Sequence, residues 1–202
     1  MKIKILAMGS IGTNCYVVSD DAGNTAIIDC DGDPRPLFSY IAENNLNPTH
    51  ILLTHGHYDH IGAVDLVKDK YGCKVIAGKD EMPVLTDPAI NSSLYCGGEF
   101  IIIPDELVSD GDIITVGDLK FQVMFTPGHT VGSLCFILQD NIFSGDTLFQ
   151  GSCGRTDLAT GDWNTILRSL KRLRNLPGDY SVFPGHGPST TLGIERMSNP
   201  YM

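Results

Sequence analysis

HILLTHGHYDHIGAVDLVKDKYG, residues 50–72, runs from an apolar segment through a histidine-dense turn into a segment of helical character that ends at a glycine. HILLT has the length and apolar content of a short buried strand. DHIGAVDLVKDKYG reads as a helix stopped by Gly72. A buried strand feeding directly into a helix is the unit of a layered α/β protein, and the flanking sequence repeats it. Downstream lies the strand CKVIAG; upstream are KIKILA, CYVVS and TAIID, separated by the turns GSIGTN and DDAGN. DPRPLFSYIAENN is expected to be a helix with proline near its start and Leu37, Phe38 and Ile41 toward a core. Residues 79–104 are less regular and read as a short helix and a surface loop. Strands then return as DIITV, LKFQVMFT, SLCFILQ and NIFSG, followed by the helix DWNTILRSLKRLRN, a last strand YSVFP and a closing helix TTLGIERM. Strand runs, each followed by helices, predict two sheets with helices outside, in one domain over residues 1–202.

Composition narrows the function. Hydrophobic residues make up 42% of the 202 residues, and mean hydropathy is +0.02. A formal charge of −10 argues against a nucleic-acid or anionic-membrane surface. The basic stretch LRSLKRLRN is read as the solvated face of a helix whose other face carries Trp163, Ile166, Leu167, Leu170 and Leu173. No signal peptide or membrane-spanning run is expected. Six cysteines without a CxxC pair fit reduced, largely buried thiols and a cytoplasmic setting.

Three of only six histidines fall in THGHYDH, residues 54–60. Histidines and carboxylates recur where the other strands are expected to end: His55, His57, Asp59 and His60 after HILLT, His129 in PGHT, Asp146 in SGDTLF, and His186 in PGHGP. Only His50 lies elsewhere. Taken singly, each could be a hydrogen-bonded loop or turn residue. Together they exceed the roughly three protein ligands of a catalytic zinc. They suit a pair of ions about 3.5–4 Å apart. A carboxylate can give one oxygen to each ion, so Asp146, set apart from the cluster, is the candidate bridge.

THGHYDH, PGHT, SGDTLF and PGHGP in this order resemble the metallo-β-lactamase superfamily, from AIIDCDGD nearly to the carboxyl terminus. SCGRTDL and PGHGPSTTLGIERMSNPYM are similar to its small glyoxalase II-like hydrolases. The resemblance implies a four-layer αββα sandwich, two mixed sheets with helices outside. It implies two divalent ions, zinc first and iron or manganese as alternatives. One would be held by His55, His57 and His129, the other by Asp59, His60 and His186, with Asp146 between them. The implied reaction is hydrolysis of a small-molecule thioester or related ester, glutathione-derived ones included, by hydroxide that Asp59 helps to orient. Longer glyoxalase II enzymes add a helical domain and offer glutathione a Lys and a Tyr where this sequence has Arg155 and Asp157. Arg155 therefore either grips a substrate carboxylate or pairs with Asp157. Many lactamases of the superfamily lack a His60 equivalent and use a cysteine in the second site, which points away from lactams. Asp29, in AIIDCDGD, is expected to support the metal loop. The rival reading is a persulfide dioxygenase with one iron on His55, His129 and Asp146.

Overall fold

The computed structural model describes residues 1–96 and 98–202. Its first half contains β1 (Lys2–Met8), β2 (Thr13–Ser19), β3 (Asn24–Ile28), α1 (Arg35–Glu43), β4 (Asn47–Leu52), α2 (Tyr58–Ile61), α3 (Val64–Tyr71), β5 (Lys74–Gly78), α4 (Met82–Leu85) and β6 (Glu106–Val108). Short 3-10 turns cover Lys79–Glu81 and Ser93–Tyr95. These six strands form one sheet in sequence order, with β1 to β3 antiparallel and β3 to β6 parallel. The second half contains β7 (Ile113–Val116), β8 (Leu119–Phe125), β9 (Leu134–Leu138), β10 (Asn141–Gly145), β11 (Leu148–Phe149), β12 (Ser152–Cys153), α5 (Trp163–Arg174), β13 (Ser181–Pro184), β14 (Thr190–Thr191) and α6 (Leu192–Ser198). Its main sheet has the order β14-β13-β10-β9-β8-β7, where only the β10–β13 pair is parallel. β11 and β12 make a small separate hairpin.

The period-two alternation of the strands explains the layering. Every residue of β2 is buried, because its side chains alternate between two covered faces. Tyr16 and Val18 enter a core that also holds Ile28, Leu52 and Ile76 from the first sheet and Phe121, Phe136 and Phe143 from the second. Cys15 and Val17 point the other way, into a core with Leu37 and Ile41 of α1 and Val64 and Val67 of α3. On the far side, Cys135, Ile137 and Ile142 pack with Leu170 and Leu173 of α5 and Leu192 of α6. Three apolar layers between four layers of structure make the αββα sandwich.

Local differences from the sequence expectation have physical causes. The helix expected over 59–72 is split into α2 and α3, because Cys30 takes backbone partners there: its amide donates to His60 O at 3.0 Å and its carbonyl accepts from Ala63 N at 3.1 Å. Gly72 ends α3 as expected, in the left-handed region at φ 68°. Trp163 is 45% exposed, not part of the buried stripe of α5; its ring packs edge-on against Tyr201. β6, β11, β12 and β14, of two or three residues each, were not expected. All six thiols are free, and four of them are buried. Among the described residues, no helix is long and apolar enough to cross a membrane.

Candidate metal centre

The functional candidates gather where strands of both sheets end. His55 and His57 follow β4, Asp59 and His60 lie in α2, His129 follows β8, Asp146 follows β10 and His186 follows β13. Thr54 ties the sheets together at this edge: its carbonyl accepts Leu134 N at 2.9 Å. Gly145, at φ 48°, packs against the Thr54 side chain, and a Cβ there would collide with Thr54 Oγ1. Asp146 thus emerges next to the histidine loop. Gly185 makes similar room, since a Cβ on it would strike Asp146 Oδ1.

The residues form three overlapping groups, each with its ligand-type atoms within 4.8 Å of one another: His55, His57 and His129; His55, His60 and Asp146; Asp59, His60 and His186. His57 Nδ1 lies 2.9 Å from His129 Nε2. Asp146 stands between the first and third groups. Its Oδ2 is 3.5 Å from His129 Nε2 and 3.7 Å from His186 Nε2, and its Oδ1 is 3.4 Å from His60 Nε2. His186 Nε2 also lies 3.0 Å from Asp59 Oδ2. His50 stands apart, its Nδ1 2.8 Å from Thr49 Oγ1.

A surrounding layer of hydrogen bonds aims these side chains. Asp29 Oδ1 accepts Thr54 N at 2.9 Å; Oδ2 accepts Thr54 Oγ1 at 2.7 Å and lies 2.8 Å from His60 Nδ1. His129 Nδ1 is 2.8 Å from the Arg155 carbonyl. With the outer nitrogens so engaged, Nε2 of His60 and His129 face the centre. Thr13 Oγ1 donates to Asp59 Oδ2 at 3.2 Å. Asn14 Nδ2 donates to the carbonyls of Pro184 and Gly187, at 3.0 and 2.9 Å, and Tyr16 Oη to Pro184 O at 2.5 Å, so β2 holds the His186 loop. Sequence reasoning passed over Thr13, Asn14 and Tyr16. Their signal was a polar Thr-Asn pair opening an otherwise apolar strand.

Electrostatics divides the cluster in two. Burial, aided by neighbouring imidazoles, holds His55 well below the usual histidine range and lowers His57 to about 3. Both imidazoles are therefore neutral at ordinary pH. Burial also opposes charge on His60, yet Asp59, Asp146 and Asp29 outweigh it and raise His60 well above its ordinary value. His186 is raised too, with the Asp59 hydrogen bond overcoming burial.

Residues of this kind fit a metal pair. Four buried polar atoms, His55 Nε2, His57 Nε2, His60 Nε2 and Asp146 Oδ1, have no hydrogen-bond partner among the described residues. Groups left this way cost free energy unless something engages them. Imidazoles and carboxylates together suit zinc, iron or manganese. Beside the cluster opens a cleft of about 170 Å³, with Ile11, Tyr58, Ser92, Arg155 and Leu158 in its walls. Arg155 makes a two-pronged pair with Asp157, Nε to Oδ1 and Nη2 to Oδ2 both at 2.7 Å.

Comparison with known proteins places the chain in a family and beside several relatives. The profile of the metallo-beta-lactamase superfamily matches residues 8–186. Hydroxyacylglutathione hydrolase GloC of Haemophilus influenzae is 35% identical, over 100% of this chain and 98% of its own. The crystal structure of BLEG-1, a B3 metallo-beta-lactamase, is 40% identical with a TM-score of 0.93 and covers 99% of both chains. TTHA1623, in a di-iron-bound form, is 34% identical with a TM-score of 0.88, over 98% of this chain and 100% of its own.

Proposed function

Because the chain belongs to the metallo-beta-lactamase superfamily of metallohydrolases, we propose that it is a dinuclear metal hydrolase acting on a small-molecule thioester or related ester. The observation that carries this reading is the Asp146 carboxylate standing between two sets of imidazoles. In it, His55, His57 and His129 would hold one divalent ion, Asp59, His60 and His186 would hold the other, and Asp146 would serve both. Zinc is the first candidate, with manganese or iron as alternatives; the di-iron form of TTHA1623 supports iron. Two such ions lower the pKa of water from 15.7 toward about 7 and polarise a carbonyl, so hydroxide becomes available near neutral pH.

The protein's own groups supply position. Asp59 lines the cleft, where its carboxylate orients the attacking water. Ile11 and Leu158 keep the acyl group against apolar surface. Arg155 takes a substrate carboxylate by exchanging it for Asp157, which preserves a two-pronged pair. The name of GloC supports a glutathione thioester as the substrate class. The whole chain, 1–202, acts as one domain in this reading, in the cytoplasm, where its six thiols stay reduced.

The test is metal analysis of purified protein with parallel assays of hydroxyacylglutathione thioester hydrolysis, β-lactam hydrolysis and oxygen uptake on glutathione persulfide. Two ions with thioester turnover support the proposal. One iron with oxygen uptake replaces it with the dioxygenase. Turnover confined to lactams, the activity in BLEG-1's name and one the sequence pointed away from, overturns the substrate class.

A further inference from the structure

Glu81 ends the 3-10 turn after β5 and is only 1% exposed, yet it belongs to none of the three ligand groups. Its Oε1 accepts the amide of Gly56 at 2.7 Å, between His55 and His57. Its Oε2 accepts the Thr130 hydroxyl and the Gly132 amide, both at 2.8 Å, just beyond His129. Thr130 is itself fixed by Ser133, Oγ1 to Oγ at 2.6 Å. Glycine at 132 permits the approach, since a Cβ there would collide with the Glu81 amide nitrogen. The partners of the carboxylate are thus three neutral donors, drawn from two loops that β4 and β8 bring together.

We propose that Glu81 is a positioning residue: its carboxylate joins the loop bearing His55 and His57 to the loop bearing His129, and so sets the spacing of the first metal group. The inference rests on the dinuclear reading above. An ionised carboxylate accepts from all three donors at once. An amide of the same length keeps one accepting oxygen and turns an N–H toward another N–H, so one loop is released. The second group hangs on different supports, Asp29 behind His60 and β2 behind the His186 loop. Loss of the Glu81 brace should therefore be felt at one metal and not the other.

The experiment is competitive zinc titration of the full-length, demetallated protein against a chromogenic chelator. In a His186→Ala background, which leaves the first group intact, Glu81→Gln should weaken zinc binding about 10- to 100-fold, the usual effect of losing a group behind a ligand. In a His57→Ala background, which leaves the second group, the same change should leave affinity as it was. Thr130→Val removes one donor and should give a smaller loss confined to the first background; it decides the matter if Glu81→Gln does not fold. Equal losses in both backgrounds, or none in either, overturn the inference. A wild-type chain that binds only one zinc refutes the dinuclear reading alone, because the His186→Ala pair still reports on Glu81.

Discussion

Asp29 adopts φ 52°, a left-handed conformation uncommon outside glycine, and in it the carboxylate meets Thr54 N, Thr54 Oγ1 and His60 Nδ1 together. The sequence motif indicated a supporting role for Asp29; the structure shows that its partner imidazole is His60. Asn at this position would keep the Oδ1 contact but set an NH₂ against two donors. His60 would then carry its proton on Nε2, the atom that faces the centre. Asp29→Asn should lower affinity for the second metal about 10- to 100-fold in a stepwise titration, with a smaller loss at the first, since Thr54 Oγ1, which Asp29 also holds, lies 3.1 Å from His55 Nδ1; two unchanged affinities would show that the carboxylate does not set the tautomer. Arg155 was legible only as an alternative, substrate grip or partner of Asp157, because sequence does not say which way an exposed guanidinium turns. It is paired with Asp157 and also lines the cleft. If it serves substrate, Asp157→Asn should reduce KM for an anionic thioester several-fold at nearly constant kcat. An unchanged KM would leave Arg155 a loop-fixing residue.

Between the two halves of the cluster the protonation states differ, so the two ions should enter with different pH dependence. His60 and His186 are raised, and the demetallated protein gains stability from each that is fully present below about pH 6.5 and is lost as pH rises through the folded value. A cation must displace those protons, so second-group affinity should climb with pH through the neutral range. His55 and His57 are already neutral there, so first-group affinity should depend less on pH than second-group affinity. Calorimetry in buffers of different ionisation enthalpy would read this as more proton release in the second-group step than in the first; equal release in both steps contradicts it. α1 and α5 were legible in the chain because Pro36 in the first turn of α1, the Asp162 cap of α5 and the apolar spacing of both agree with the fold. The break between α2 and α3 was not, since its cause is Cys30, distant in sequence. Glu81 was equally hidden: GKDEMP carries no pattern, and the carboxylate has a role only once the loops after β4 and β8 meet.

Across the whole molecule, three apolar layers hold two six-stranded sheets so that the ends of β4, β8, β10 and β13 converge on one edge. Histidine spacing made the ligand candidates readable without coordinates, because seven groups of the right chemistry stand at four expected strand ends. How those ends meet depends on sheet order, which local sequence does not encode. The same convergence separates hydrolase from dioxygenase. His60→Ala and His186→Ala should each leave one ion and reduce thioester hydrolysis by orders of magnitude; full oxygen uptake on a persulfide in both variants would favour the iron enzyme. The central claim is that one carboxylate serves two metals, and metal content per chain tests it most directly. Protein purified with ample metal should carry about two ions, and Asp146→Ala should lose both. A single ion per chain that survives Asp146→Ala would contradict the account.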